Sequence, residues 1–458
     1  MIRNIYLQKS IPEIISLLKK KKISVKDLYR ESFKKYKKYE KNIRAWVIFD
    51  KKVYSHNIEK IQKKYDTKRN SFLEGIPFGA KDIFNTSNFK TQMGSSLWKN
   101  FTPGNNARVI DKLVSKGCIV VGKTVTAEFA VHELNQTKNP FNMKRTPGTS
   151  SSGSAAAVAT GTVPFALGTQ TAASIIRPAS FCGVWGMKPS FGLIPRTGVL
   201  KTTDSLDTIG FLTSNLYNLK ILLDNLRVKG KNYPYVYKNV CKKKIKKINN
   251  KNLKIGFIKT DVCKNIDFEI ENSIIELKKR LTKKKIFFKD IIWPKNFKNL
   301  HKIHKMIYNK SLSYYFSNEY KDKKKISNIM RNMIEDGRVI KNENFLKSMK
   351  KQREVISKMS QFLEIFDVVF SISTSTPAVI RGKKEKDDPS LIWTMSHIPA
   401  INIPIGISKD GLPLGLQAIS SKWNDFNLIN TLEFLEKKKI ISRFSIRLDE
   451  NTTVNKSY

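Results

Sequence analysis

Residues 147–189 read PGTSSSGSAAAVATGTVPFALGTQTAASIIRPASFCGVWGMKP, and this stretch decides the fold. It is nearly free of charge in a chain otherwise crowded with lysine. Glycine and serine come first, then the small apolar runs AAAVA and VPFAL, then the segment TAAS. Small residues let backbone amides approach a substrate closely, and Gly-Ser runs tolerate backbone angles that other residues avoid. Flexible Gly-Ser linkers lack such apolar flanks. The stretch therefore reads as a buried, backbone-lined pocket with hydroxyls at two points.

Outward from it, four further segments stand in a fixed order. They are GIPFGAKDIF at Gly75–Phe84, SLDTIGF at Ser205–Phe211, IPAINIPIG at Ile398–Gly406 and GLPLGLQ at Gly411–Gln417. Together with PGTSSSGSAAAVA and GTQTAASIIRPASFCGVWGMKPSFG, they resemble the amidase signature family of serine hydrolases across most of the chain. The resemblance implies an α/β fold, a large mixed twisted sheet covered by helices on both faces. It implies one domain over 1–458: a helical lead-in (1–70), a signature core (71–225), a basic crossover (226–252), the remainder of the α/β unit (253–445) and a tail (446–458).

The resemblance also assigns roles. Ser174 would be the nucleophile, Ser150 a bridging serine in a cis peptide, and Lys81 the terminal base of a Ser–cis-Ser–Lys triad acting through an acyl-enzyme. Lys81 must then be neutral, so its ordinary pKa of ~10.4 has to fall, which burial among small apolar residues can achieve. Backbone N–H groups of Thr171, Ala172, Ala173 and Ser174 would form the oxyanion hole. Many relatives carry glycine at one or both of the positions of Ala172 and Ala173. A methyl at positive φ on Ala173 would cost roughly 1–2 kcal/mol and distort the donors. Ser151, Arg177 and Asp207 read as supports, Ser152 as a packing or turn residue, and Cys182 as core.

The implied reaction is hydrolysis of a linear, non-peptide carboxamide to a carboxylate and ammonia or amine. Gln170, TQTAAS, IIRP and DPSLIWTMSHIPAINIP resemble the stand-alone branch. The alternatives are the glutaminase component of the glutamyl-tRNA(Gln)/aspartyl-tRNA(Asn) amidotransferase, and a catalytically silent binding relative. The partner expected is a small-molecule amide. No cofactor or metal is implied, and a homodimer is allowed.

Length and composition set the frame. The chain has 458 residues, is 40% apolar, and carries 85 basic against 38 acidic residues, a net +47. Such a charge raises nucleic acid or an acidic membrane as partners. The lysines are scattered over apparent amphipathic helices, so they read as solvated surface, with no specific nucleic acid expected. No run approaches the ~18 apolar residues of a membrane span, and Met1–Leu7 does not lead into a signal-peptide core. Cys118, Cys182, Cys241 and Cys263 show no CxxC spacing and read as reduced thiols. The expectation is a cytoplasmic protein.

Local patterns give elements. Ser10 with Glu13, and Ser24 with Asp27, open helices. Residues 45–50, 118–121, 165–168, 253–258, 368–372, 400–405 and 415–419 read as strands. Residues 107–115, 124–132, 154–160 and 269–281 read as helices, and 298–362 as a lysine-rich helical region. GCIVVGKT at Gly117–Thr124 satisfies the Walker A pattern by letter. Its intervening Cys-Ile-Val-Val reads as the strand itself, so it forms no phosphate loop. His301 and His304 stand near one another on the lysine-rich helix and read as solvated. His132 and His397 read as core.

Overall fold

The computed structural model describes residues 6–50, 58–59, 62–63, 73–230, 245–263, 265–383, 385, 387–443, 445–446 and 448. Eleven strands form one sheet among these residues: β1 (Trp46–Phe49), β2 (Pro77–Lys81), β3 (Ile119–Thr124), β4 (Phe165–Gln170), β5 (Trp185–Lys188), β6 (Thr208–Thr213), β7 (Ile255–Ile258), β8 (Phe288–Ile291), β9 (Val368–Ile372), β10 (Ala400–Ile407) and β11 (Pro413–Ile419). Their spatial order is β1-β3-β2-β4-β6-β5-β10-β11-β9-β7-β8. The α-helices are α1 (Ile11–Lys19), α2 (Val25–Ile43), α3 (Arg108–Ser115), α4 (Ser152–Ala159), α5 (Ile176–Phe181), α6 (Tyr217–Leu226), α7 (Phe268–Lys283), α8 (Leu300–Tyr315), α9 (Asn328–Val339), α10 (Asn342–Leu363), α11 (Leu391–Met395) and α12 (Asp425–Lys437). The fold is α/β with a mixed sheet, as the sequence implies.

The register of the sheet brings the signature segments to one edge. β2 runs parallel to both β3 and β4, so their last residues Lys81, Thr124 and Gln170 finish on the same side. β6 runs antiparallel to β4 with Gln170 opposite Thr208, which delivers Asp207 to that edge from the other direction. Open α/β sheets bind ligands at the carboxyl ends of their parallel strands, and this edge has that character. β2 and β4 are buried along their whole length. Strands covered on both faces need apolar or small residues throughout, which is why these segments do not alternate.

Helix α4 explains the small residues of SGSAAAVA. All eight of its residues are buried. It begins directly after Ser151, where the ends of β3 and β4 lie. The Ser154 hydroxyl donates to the Leu167 carbonyl at 2.8 Å and lies 2.7 Å from the Thr124 hydroxyl. A Cβ on Gly153 would fall 2.3 Å from the Val125 nitrogen and 2.5 Å from the Ala45 oxygen. Only glycine fits there. Upstream, Gly148 takes φ +87°, the left-handed turn that leads into Thr149 and Ser150.

The capping boxes at Ser10/Glu13 and Ser24/Asp27 are both formed. The lysine-rich region resolves into α8, α9 and α10. Residues 124–132 differ from expectation: a short 3-10 turn, Glu128–Ala130, stands where a helix is predicted. Phe129 and Ala130 take φ of 47° and 59°. Every residue from 125 to 131 is buried, so the apolar spacing reports a loop enclosed on all sides rather than one helical stripe. The Walker-like segment is β3 itself, preceded by α3. Its Lys123 is buried, 3.2 Å from Asp82, and donates to the Phe84 carbonyl at 2.7 Å. Cys118, Cys182 and Cys263 are buried and free. Cys241, most of 226–252 and nearly all of 446–458 lie outside the described residues. Among the described residues, no helix is long and apolar enough to cross a membrane.

Candidate active site

Lys81 ends β2 with its side chain fully buried. Its Nζ reaches three hydroxyls: Ser150 at 2.8 Å, Thr169 at 2.9 Å and Ser151 at 3.1 Å. Loss of hydration drives its pKa well below the ordinary lysine value, opposed by the negative charge of Asp207. A neutral amine has two hydrogens and one lone pair. The Ser151 hydrogen is committed to the Thr169 carbonyl at 3.3 Å, so Ser151 accepts from Lys81. That arrangement leaves the lone pair free to accept the hydrogen of Ser150, the nearest of the three.

The resemblance places a cis peptide at Ser150. Among the described residues no peptide bond is cis. Ser150 lies 2.8 Å from Lys81.

The turn after β4 carries the next group of candidates. Gln170 anchors it from within. Its Oε1 accepts from the backbone N–H groups of Ile175 (2.9 Å) and Ile176 (3.0 Å), capping α5, and its Nε2 donates to Thr394 at 2.9 Å. The Thr394 hydroxyl in turn donates to the Ala172 carbonyl at 2.6 Å. Asp207 fixes the start of the turn. Its Oδ1 accepts from the hydroxyls of Thr171 (2.8 Å), Thr202 (2.6 Å) and Thr203 (3.0 Å), and its Oδ2 from the N–H groups of Thr202 and Thr203. Neither Ala172 nor Ala173 takes a positive φ, so their methyls carry no left-handed penalty. Among the described residues, the N–H groups of Ala172, Ala173 and Ser174 have no hydrogen-bond acceptor.

Ser174 is partly exposed at the crest of this turn. The structure joins Lys81 to Ser150 but contains no hydrogen bond between Ser150 and Ser174. Arg177 lies one helical turn on. It pairs with Asp388 and Glu385 and donates to the Thr149 hydroxyl at 3.2 Å. It thereby ties α5 to the side chain of Thr149, the residue just before Ser150. Ser152 is buried and accepts from Asn135 at 2.7 Å, which fixes the 135 loop against α4.

Two histidines correct the sequence reading. His304 is buried, with its Nε2 2.8 Å from the Thr171 carbonyl. His301 is half-buried, 2.9 Å from the Asp388 carbonyl. Neither is on a solvated face, because α8 packs its histidine side onto the site. A signal for His304 is present in the sequence. It falls on the buried stripe Leu300, His304, Ile307 and Tyr308 of a helix whose other faces carry lysine. Thr394 leaves no such signal. His397 bonds the Ser205 carbonyl at 2.6 Å and stacks on Phe191, and His132 packs edge-on to Tyr308.

A cavity of about 220 Å³ opens beside Thr169, Thr171 and Asp207. Ile83, Val199, Leu200 and Ile209 give it apolar walls, and Arg196 and Lys201 line it as well. Arg196 is spent on the carbonyls of Thr203 and Asp204, and Lys201 pairs with Asp204 at 2.5 Å.

The sheet thus holds a buried lysine–serine pair at the carboxyl ends of its parallel strands. The amidase family model matches residues 27–429, and the chain belongs to that family. The A-type component of glutamyl-tRNA(Gln) amidotransferase from Geobacillus sp. (strain WCH70) is 29% identical over 483 aligned positions, covering 93% of this chain and 96% of that protein. The crystal structure of an amidase superposes with a TM-score of 0.84 at 20% identity, covering 94% of this chain and all of that one. The peptide amidase from Stenotrophomonas maltophilia superposes with a TM-score of 0.80 at 18% identity, covering 96% and 98%.

Proposed function

We propose that the protein hydrolyses a small linear carboxamide through an acyl-enzyme on Ser174. The observation that carries this reading is the buried Lys81, held 2.8 Å from Ser150 with its pKa driven well below the ordinary lysine value. A buried lysine without a counter-charge in contact is a group poised to take a proton. In the first half-reaction, the Ser174 oxygen attacks the amide carbon. Its proton passes to Ser150 as the proton of Ser150 passes to Lys81. The oxyanion accepts from the N–H groups of Ala172, Ala173 and Ser174. The C–N bond then breaks, and the proton returns through Ser150 to the leaving nitrogen. Water repeats the sequence on the ester to release the carboxylate. The cavity takes the acyl portion, and its modest volume and apolar walls suit a small aliphatic or aromatic body.

A fluorophosphonate probe tests the reading. The protein labels once, at Ser174, and Ser174→Ala removes the labelling. Labelling rises with pH as Lys81 loses its proton, because only the neutral amine starts the relay, and it levels off well below the ordinary lysine value near 10.5. A folded wild-type protein that does not label at any pH refutes the proposal.

The similarity to an amidotransferase component favours a second reading, in which the amide is glutamine and the ammonia is used by partner proteins. Ammonia release from glutamine, with tRNA binding that survives ~200 mM salt, would select it. A silent relative is the third reading. Its support is Ala172, Ala173 and Ser152, and neither alanine has the backbone angle that would make a methyl costly.

A further inference from the structure

We infer that His304 is a positioning residue for the oxyanion donors of this site: it grips the Thr171 carbonyl and so aims the Ala172 N–H. The inference rests on the hydrolase reading above. In a trans peptide the C=O and N–H point in opposite directions from one rigid plane. The Thr171 carbonyl and the Ala172 N–H share such a plane, and His304 Nε2 lies 2.8 Å from that carbonyl. The next plane is held the same way, with Thr394 donating to the Ala172 carbonyl at 2.6 Å, which aims the Ala173 N–H. Two successive carbonyls are thus held from behind by side chains 133 and 222 residues away in sequence. Their N–H groups are turned to the opposite side, where they have no acceptor among the described residues.

The chemistry of His304 suits the task. A carbonyl oxygen only accepts, so Nε2 carries the hydrogen and the ring is the Nε2–H tautomer. Burial pushes its pKa down to about 4, so the ring is neutral when the site is active. Tyr308, one turn on, packs edge-on to the ring at 5.6 Å between centroids and limits its rotation. His304 does not touch the reacting atoms. Its effect is exerted through a peptide plane, which distinguishes it from a residue that merely fills space.

The test uses the full-length protein, His304→Phe and His304→Gln, with a fluorophosphonate titrated to saturation. Phenylalanine keeps the ring and removes the donor; glutamine places an amide N–H at a similar reach. Losing one oxyanion donor outright costs about 10²–10³ in rate, so misaiming one should lower the maximal labelling rate of His304→Phe roughly 10–100-fold with little change in half-saturating concentration. His304→Gln recovers most of that loss, to within about 5-fold of wild type. A folded His304→Phe that labels at the wild-type rate, or a folded His304→Gln as slow as the phenylalanine variant, overturns the inference. Should the phenylalanine variant not fold, the wild type still decides. In ¹⁵N-histidine protein the His304 Nε2–H resonance should move when the adduct forms at Ser174, and an unmoved resonance overturns the inference. A wild type that never labels fails differently, since it removes the hydrolase reading and this inference with it.

Discussion

At Lys81 the count of hydrogens matters more than the charge. Three hydroxyls surround one nitrogen, and the hydrogen of Ser151 is already committed to the Thr169 carbonyl. A guanidinium in the same place would keep its positive charge at any working pH. Lys81→Arg should therefore fail as completely as Lys81→Ala, each lowering fluorophosphonate labelling at least ~100-fold, in line with loss of a general base. Labelling retained in the arginine variant would show that positive charge, not proton acceptance, is what the site uses. Ala173 allows a second test. Because φ there is not positive, Ala173→Gly relieves no strain. It should leave labelling within about 2-fold and lower stability by roughly 0.5–1 kcal/mol, the cost of added chain freedom. A large gain in rate would mean that the methyl obstructs the donors.

At the scale of elements, helix α4 is constrained by closeness. Gly153 leaves no room for a Cβ against the backbone of Val125 and Ala45. Gly153→Ala should destabilise by at least the ~1–3 kcal/mol typical of overpacking, read from the unfolding midpoint. Labelling should fall too, because Ser150 and Ser151 lead directly into α4. Helix α2 makes a pH-dependent contribution. Glu31 is buried, accepts from the N–H groups of Tyr6 and Leu7, and has its pKa pushed up to about 7 by burial. The folded state therefore binds more protons than the unfolded chain between the ordinary value near 4.5 and about 7. Stability falls as pH rises through that window. Glu40, on the same helix and likewise raised to about 7, adds in the same direction. Glu31→Gln keeps an acceptor oxygen but cannot ionise, so its melting temperature relative to wild type should climb from pH 5 to pH 8. Parallel curves for the two proteins would show that Glu31 does not titrate in this range.

For the whole molecule, the full sequence carries a net charge of +47. Lysines on α7, on α10 and in the turn before α9 pair locally with acidic neighbours, as in Lys279–Glu276, Lys347–Glu343 and Lys325–Asp322. Exposed pairs of this kind contribute little to stability. The excess charge should instead show as weak, non-specific attraction to polyanions. RNA binding is expected to weaken at least ~10-fold between 50 and 200 mM salt, through release of condensed counterions. Binding that keeps its strength across that range would point to a built nucleic-acid surface and favour the amidotransferase reading.

What the sequence determined by itself is the set of local necessities. Capping pairs start α1 and α2, small residues mark where α4 meets the sheet, and Lys81, Ser150 and Ser174 stand in the segments that carry the family resemblance. These are legible because each depends on residues adjacent in the chain, or on a pattern repeated along it. Tertiary structure alone decided the rest. Residues 125–131 are mostly apolar because they are enclosed, and no local pattern separates an enclosed loop from a helix. Thr394 and His304 reach the turn after β4 only because α8 and α11 pack there. Gln170 caps α5 and holds Thr394 with the two ends of one amide. Long-range hydrogen bonds of this kind follow from how the sheet and its helices are stacked, and that stacking brings together residues whose spacing in the chain says nothing of their contact.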